Sequence, residues 1–283
     1  MPSPSRAARL APTRLRRARP LLGTLVGIEV AASRSSEDLH SAIDAAFASI
    51  AQVHTLLSYH DAGSELSRLN RMARGQAQRV DPQTFTVLQA ALQFAQMSDG
   101  AFDPCVALRL EALGLLPNLG GPADEDATWR DVELVDRELV RFSRPLRLDL
   151  GGIAKGFAVD KAVETLQRFE IDEILVNAGG DLRIAGPQRG IVLRDPAAPA
   201  RPGHTLSLQD TALATSAGYF SEALIDGRSR KTYVGKNSVS VCAETCMAAD
   251  ALTKVVLFAE PAIAERCLAQ CNARAYWLGS SHL

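Results

Sequence analysis

The sequence has no large excess of charge of either sign and no long apolar run. It carries 31 Lys and Arg against 32 Asp and Glu, for a formal net charge of −1 in 283 residues. Nucleic-acid-binding proteins are usually strongly basic, so this balance argues against that class. No apolar run approaches the ~20 residues of a transmembrane helix. With 47% hydrophobic residues, the chain is long enough for one large domain or two closely packed lobes. We expect a soluble enzyme.

Cysteine is scarce as well, and its five copies form no obvious disulfide set. Cys242 and Cys246, like Cys267 and Cys271, are four residues apart. That spacing allows two thiolates on one helix face, and hence a zinc or iron–sulfur site. The favoured alternative is small, buried core residues in a reducing compartment. We therefore predict a cytoplasmic protein.

The charge balance is uneven in one place, residues 1–20, which hold several arginines and no acidic residue. Such a stretch is a targeting segment, a contact for an anionic surface or, as we favour, a disordered solvated tail. The pair Arg16-Arg17 invites comparison with an export signal, but the apolar run from Leu21 to Ile28 is too short and interrupted for one. We predict a tail over residues 1–20 and a single domain over residues 21–283.

Hydrophobic spacing predicts helices and strands that interleave along the chain. The predicted helices are 36–58 (capped by Ser35 and Asp38), 83–97, 155–169, 245–258 and 261–270. The predicted strands are 22–31, 132–142, 146–150, 173–177, 181–185, 238–242 and 274–278. Residues 117–128 are predicted as a loop and candidate lobe boundary, and residues 186–212 as mostly loop and strand. Because no regular βαβ period is present, we predict an α+β fold with mixed sheets.

The most informative segment covers residues 148–160, with the sequence LDLGGIAKGFAVD. An alternating strand stops at Gly151-Gly152, and a helix then opens with Lys155. A helix start presents backbone N–H groups, and the helix dipole favours an anion there. Glycine lets a phosphate approach the backbone closely, and lysine adds a charge. The segment predicts a phosphate or nucleotide site, with a plain tight turn as the alternative.

Other short segments accompany it in a fixed order. They are 22–24 (LGT), 64–70 (SELSRLN), 100–104 (GAFDP), 176–181 (VNAGGD), 214–216 (ATS) and 249–254 (ADALTK). In this order and spacing, the set resembles the ApbE family of FAD:protein FMN transferases over roughly residues 20–260. The resemblance implies an ApbE-type (T-fold-like) α+β fold of mixed β-sheets flanked by helices, with two closely packed lobes around an FAD cleft.

The resemblance also implies which residues bind FAD. They are Leu22, Tyr59, Ala101, Phe102, Asp103, Asp149, Gly151, Lys155 and Phe157. Two of them have a second interpretation: Tyr59 as a helix-end tyrosine that packs on the core, and Asp103 as a carboxylate that bonds turn amides. Asn70 is interpreted as a cap or clamp of its loop rather than as a ligand.

The implied reaction is phosphoryl transfer. FAD is cut at its pyrophosphate, AMP leaves, and FMN is joined to a threonine hydroxyl of an acceptor protein. Mg²⁺ ordinarily neutralises the pyrophosphate and takes oxygen ligands. By resemblance those ligands are the Ala154 carbonyl, Asp250 and Thr253. The alternative for Asp250 is a helix N-cap or a surface acid.

One departure from the family falls on the metal ligands. Relatives usually carry threonine four residues after the metal aspartate, whereas this chain has Lys254 there and Thr253 one place earlier. Two hypotheses have equal weight. Either Thr253, on the helix face of Asp250, still reaches the metal, or the Lys254 ammonium pairs with Asp250 and takes the place of the cation.

A second departure is the lack of the His-Ile-x-Pro element of relatives. Residues 225–236 contain neither histidine nor proline. The histidines are His40, His54, His60, His204 and His282, of which only His60 and His204 lie in predicted loops. Either Asp226 or water is then expected to take the proton, or transfer is expected to be slow. The basic cluster there (Arg228, Arg230, Lys231 and Lys236) is interpreted as a solvated loop, with phosphate or acceptor contacts as the alternative.

The leading hypothesis is therefore a Mg²⁺-dependent FAD:protein FMN transferase with an acceptor protein as partner and no assigned catalytic residue. The alternatives are an FAD-binding protein with a degenerate transferase site, and an FAD pyrophosphatase that releases FMN and AMP.

Overall fold

The structure is a computed structural model that describes residues 12–72, 74–194, 204–217, 224–233, 235 and 237–279. The strands are β1 (Thr13–Leu21), β2 (Thr24–Ala32), β3 (Gln78–Arg79), β4 (Val132–Asp136), β5 (Leu139–Phe142), β6 (Glu173–Ala178), β7 (Asp181–Ala185), β8 (Arg189–Val192), β9 (Thr205–Leu208), β10 (Ala212–Ala217), β11 (Ser238–Ala243) and β12 (Arg274–Leu278). The helices are α1 (Ser36–Leu57), α2 (Glu65–Met72), α3 (Pro82–Met97), α4 (Ala107–Ala112), α5 (Ala154–Arg168), α6 (Cys246–Phe258) and α7 (Pro261–Gln270).

A seven-stranded sheet in the order β1-β2-β6-β7-β10-β11-β12 organises the fold. Its neighbouring strands pair antiparallel throughout. Helices α1, α5 and α6 pack together over one face and bury the main core. The β8-β9 hairpin contributes Leu206 and Leu208 to a smaller core formed with Leu182 and Leu213 of the sheet. A separate sheet has the order β3-β5-β4. The α+β prediction is confirmed.

Most predicted elements are confirmed to within a few residues. Helix α1 begins where expected because the Ser35 hydroxyl accepts a hydrogen bond from the Asp38 N–H at 3.1 Å. Its apolar face, which includes Leu39, Ile43 and Ile50, is fully buried. Residues 117–128 are irregular, as predicted. None of the helices described is both long and apolar enough to cross a lipid bilayer.

The predicted disordered tail is wrong for residues 13–20, which lie in β1. Strand β1 pairs with β2 through a two-residue turn in which Leu22 and Gly23 both have positive φ, of 55° and 70°. Its arginines pair with acids of neighbouring elements: Arg14 with Glu173, Arg16 with Glu29, and Arg17 and Arg19 with Asp44. Residues 1–11, with Arg6 and Arg9, lie outside the described residues.

The predicted strand at residues 146–150 is also wrong, because it joins no sheet. Instead, the Asn70 side chain bonds both backbone groups of Leu148: Nδ2 donates to its carbonyl at 2.9 Å, and Oδ1 accepts from its N–H at 2.8 Å. The side-chain amide thus makes the two backbone hydrogen bonds that a neighbouring strand would make in a sheet. Asn70 is a clamp, but it holds this distant segment and not its own loop as predicted. It projects from α2, a helix that the sequence pattern did not predict.

The cysteines are free, and their paired spacing does not build a metal site. Cys242 lies in β11 and Cys246 begins α6, so the two do not share a helix face. Cys105, Cys246 and Cys267 are buried, as the core interpretation expects. Among the described residues, no group of three or more His, Cys, Asp or Glu side chains is arranged to hold a metal ion.

Helices α5 and α6 cross in close contact at Gly156. A Cβ there would lie 2.2 Å from the Cys246 carbonyl oxygen. The buried Asp160 carboxylate, one turn further along α5, accepts the Cys246 and Met247 N–H groups at 2.9 Å each. Arg183 donates to the same carboxylate at 2.9 Å. Together these contacts fix the start of α6 against α5.

Substituting Gly156→Ala tests this crossing. In a free helix the change stabilises by about 1 kcal/mol, but here the added methyl meets a backbone carbonyl. We expect a net loss of about 1–3 kcal/mol in the free energy of unfolding, measured by urea denaturation. Gly27→Ala is the matched control, because, within the described part of the chain and apart from its two chain neighbours, no atom lies within 4 Å of the position that its Cβ would take. Equal stability of the two variants would contradict the close crossing.

Candidate functional site

The ends of several strands of the large sheet lie close together, at the edge of the sheet that is formed by strand ends and turns. The β1-β2 turn lies beside the β6-β7 turn, where a Cβ on Gly179 would come within 2.5 Å of Thr24 Oγ1. Asp181 begins β7, and its Oδ1 accepts the N–H of Thr215 from β10 at 3.3 Å. Segments that are far apart in sequence therefore share this edge. Leu22, a predicted FAD contact, is half-buried at the same turn.

A buried ion pair links this edge to the start of α5. Lys155 Nζ lies 2.7 Å from Asp181 Oδ2, and the Asp181 side chain is almost wholly buried. Burial, together with the nearby Asp250, raises the pKa of Asp181, although Lys155 opposes this shift. Burial alone would lower the pKa of Lys155, but the carboxylates of Asp181 and Asp250 outweigh it and raise that pKa. The lysine is therefore held as an ammonium.

A second ion pair lies within α6. Asp250 is 1% exposed, and its Oδ2 accepts the Gly156 N–H at 3.2 Å. Lys254 Nζ donates to Asp250 Oδ1 and, at 3.1 Å, to the Asp250 carbonyl oxygen. Asp250 lies inside the helix and is buried, so the alternative of an N-cap or surface acid is wrong. A buried carboxylate without a partner would be costly, and Lys254 supplies that partner.

Thr253 lies deeper than Lys254. Its side chain is fully buried, and its hydroxyl lies 2.7 Å from both the Asp250 carbonyl oxygen and the Ser216 Oγ. The hydroxyl is thus engaged by α6 itself and by β10. Ser216 and Thr215 belong to the site, although the sequence pattern did not single them out as site residues.

The Gly151-Gly152 turn closes the site on the other side. Gly151 N–H donates to Asp149 Oδ1 at 3.1 Å. A Cβ on Gly152 would lie 3.4 Å from Phe102 Cε2 and 3.5 Å from Lys254 Cε. Burial raises the pKa of Asp149, while the Gly151 N–H and the charges of His60 and Lys254 act to lower it. Helix α5 then begins at Ala154 without a capping side chain on Ile153. Its positive end favours an anion, and the Asp250 carboxylate accepts the Gly156 N–H there.

Not every predicted FAD contact presents a free surface. Tyr59 is 3% exposed, and its hydroxyl donates to Glu111, which in turn lies 3.8 Å from Arg147 Nε. Burial and the Glu111 hydrogen bond raise the pKa of Tyr59. Phe157 and Ala101 are likewise buried in the structure. These contacts favour the packing interpretation of Tyr59, and a flavin contact for the three residues stays a prediction.

Asp103 anchors the loop 224–233. Its Oδ1 accepts the Cys105 N–H at 2.8 Å, and its Oδ2 lies 3.1 Å from Arg230 Nη2. Burial raises the pKa of Asp103, although Arg230 and the Cys105 N–H oppose the shift. Gly227 also packs there, since a Cβ on it would lie 2.2 Å from the Gly100 carbonyl oxygen.

The solvated-loop interpretation is therefore wrong for Arg230, which is half-buried. It holds for Lys231, which is exposed. Lys236 lies outside the described residues. Asp226, a candidate base, accepts hydrogen bonds from the Arg228 N–H at 3.1 Å and the Ser229 hydroxyl at 2.7 Å. Both oxygens of this carboxylate thus accept hydrogen bonds from residues of the same turn.

The predicted Mg²⁺ ligands do not fit that ion as they are arranged. The Asp250 carboxylate already pairs with Lys254, and the Thr253 hydroxyl is engaged by protein oxygens. At an effective dielectric constant of about 20, a unit positive charge about 4 Å from a divalent cation costs about 8 kcal/mol. Mg²⁺ on Asp250 would therefore have to displace Lys254. Of the two hypotheses for this position, the geometry agrees with the ion pair.

Comparisons with known proteins agree with this architecture. The sequence model of the ApbE family matches residues 22–277. The FAD:protein FMN transferase of Treponema pallidum (strain Nichols) is 30% identical over 72% of this chain and 64% of its own length. That of Rhodobacter capsulatus is 32% identical over 76% of this chain and 46% of its own length. The match thus spans less than two thirds of either relative.

The fold has a solved counterpart. The apo crystal structure of the Pseudomonas stutzeri flavinyl transferase ApbE superposes with a TM-score of 0.80, covering 96% of this chain and 93% of that one, at 20% identity. The antiparallel sheet with helices over one face therefore places the chain in the class of α+β proteins with this fold. The chain belongs to the ApbE family.

The Tyr59–Glu111 contact predicts a stability change at alkaline pH. Because the folded pKa of Tyr59 is raised above the unfolded value of about 10, the unfolded chain loses its proton first. Stability should therefore fall as the pH rises above about 10, and Tyr59→Phe should make that fall less steep. Urea unfolding at about pH 9 and about pH 11 measures it. Tyr276→Phe, in β12, is the control; identical slopes for both variants would refute the buried Tyr59 network.

Proposed function

We propose that this chain is an FAD:protein FMN transferase, which moves FMN from FAD to a threonine hydroxyl of an acceptor protein. Membership of the ApbE family and the shared name of the two relatives support the proposal. The uninterrupted family match also supports one transferase domain over residues 21–283 rather than two separable units.

The observation that carries the proposal is the pair of lysines beside the Gly151-Gly152 turn. Lys155 of α5 pairs with the buried Asp181 at the start of β7, and Lys254 of α6 pairs with the buried Asp250. At the start of α5 the Ala154 N–H donates to the Leu150 carbonyl and the Gly156 N–H to Asp250, which leaves the Lys155 N–H as the backbone donor for a ligand. Ammonium groups and a helix start together suit a diphosphate, the central group of FAD.

In the proposed reaction, the threonine Oγ attacks the phosphorus on the FMN side of the pyrophosphate. A new P–O bond forms, the bond to the bridging oxygen breaks, and AMP leaves with that oxygen. The threonine proton passes to water, because Asp226 is held by its own turn. Lys155 and Lys254 orient the diphosphate and offset the charge of the departing AMP.

Mg²⁺ is the neutralising ion that the family resemblance implies, and the arrangement of Asp250 and Lys254 does not accommodate it. No step is therefore assigned to a metal. The five free cysteines support our further proposal of a cytoplasmic, reducing location.

An intact-mass assay tests the proposed transfer. The protein is mixed with FAD and a threonine-containing acceptor domain, with and without Mg²⁺. We expect the acceptor to gain the mass of one FMN, and a Thr→Ala acceptor to gain nothing. The Treponema pallidum relative serves as the positive control for acceptor competence.

Two other outcomes would replace the proposal. Conversion of FAD to FMN and AMP with an unmodified acceptor would identify a pyrophosphatase. Retention of intact FAD by the protein, with a control relative that does modify the acceptor, would identify a binding protein with a degenerate site.

A further inference from the structure

We propose that the Lys254 ammonium takes the place of a divalent cation, so that this chain binds the diphosphate of FAD without a metal. The inference rests on the proposed function for its ligand. It gives Lys254, the partner of the buried Asp250, a role in binding.

Lys254 is tied to the carboxylate that a cation would need. It lies one helical turn after Asp250, and its ammonium donates to both Asp250 Oδ1 and the Asp250 carbonyl. These bonds take two of the three N–H donors of the ammonium. The Lys254 side chain remains 17% exposed. The third donor is thus available to an anion at the open side of the pair.

The lysine stem is also held in place. Lys254 Cε and Cδ would lie 3.5 Å and 3.9 Å from a Cβ on Gly152, and Phe102 Cε2 would lie 3.4 Å from it. These are ordinary van der Waals distances, so the stem packs alongside the turn that we assign to the diphosphate.

The charges around the site agree with this replacement. Asp181 pairs with Lys155 and Asp250 pairs with Lys254, so these two buried carboxylates already have a counter-charge. A dication added to Asp250 would lie against an ammonium, whereas a phosphate oxygen there is attracted by it. Lysine binds phosphate as a point charge and needs no coordination geometry.

Titration of FAD into the protein, followed by calorimetry in EDTA and in Mg²⁺, tests the inference. The wild-type affinity should differ by less than about twofold between the two conditions. Lys254→Thr replaces the ammonium with a hydroxyl, which is an oxygen ligand that Mg²⁺ accepts, so its affinity should fall roughly tenfold or more in EDTA and recover in Mg²⁺. Arg141→Thr is the control, because Arg141 is exposed on β5 and pairs with Glu133 of β4; it should behave as wild type.

A thermal melt without FAD measures whether the substitution changes the stability of the fold itself. Lys254→Thr leaves Asp250 buried without its partner, so its Tm should be lower in EDTA and rise with Mg²⁺, while the wild-type Tm should not respond. Lys254→Met, which has neither charge nor ligand, should bind FAD weakly in both conditions.

The results separate this inference from the proposed function. A strong Mg²⁺ requirement of the wild type for FAD binding would overturn the metal replacement and leave the transferase proposal standing. Absence of any Mg²⁺ response in Lys254→Thr, in both binding and melting, would overturn it as well. Failure of the wild type to bind FAD under either condition would defeat both proposals.

Discussion

The contact between α5 and the first turn of α6 is the constraint on which the site depends. Gly156 allows the two backbones to touch, and Asp160 accepts the free N–H groups at the start of α6. Because this crossing is fixed, the Gly156 N–H reaches Asp250 from the neighbouring helix. A bulkier residue at position 156 would separate the helices and with them the two lysine–aspartate pairs.

The site is thus made of charges that the protein neutralises internally. Burial makes an unpaired carboxylate expensive, so Asp181 and Asp250 each hold an ammonium in place. Under the proposed function, those ammonium groups are oriented for a phosphate before any ligand arrives. Preorganised charge of this kind is the main resource that a phosphoryl-transfer enzyme has, and the lysine on α6 would supply part of it.

The sequence predicts the elements that are stabilised by features of their own segment, such as an apolar helix face or a capping residue. Helices α1, α5 and α6 have apolar stripes, and α1 and α6 also have capping residues that are visible in the letters. Strand β1 has no such local signal, because its arginines are balanced by acids that lie far along the chain, such as Glu173. Helix α2 is short and polar, and its role becomes clear only when Asn70 reaches Leu148.

The same distinction holds for the candidate site. The glycine turn and Asp250 can be predicted, because each belongs to a short motif. Contacts between distant segments cannot be predicted in this way, and the Asp103–Arg230 pair and the Thr215–Asp181 contact are of this kind. The motif pattern contains Asp181 but does not mark it as a site residue, since only the fold brings it beside Lys155. Its position directly after Gly179-Gly180 is the available signal.

The metal replacement by Lys254 is best tested by a crystal structure with FAD, grown in Mn²⁺ and measured for anomalous scattering. We expect the diphosphate of FAD at the Gly151-Gly152 turn, within hydrogen-bond distance of Lys254 Nζ, and no anomalous peak at Asp250. A manganese peak on Asp250, with the Lys254 ammonium displaced from it, would show that the site binds a metal and that Lys254 does not replace it.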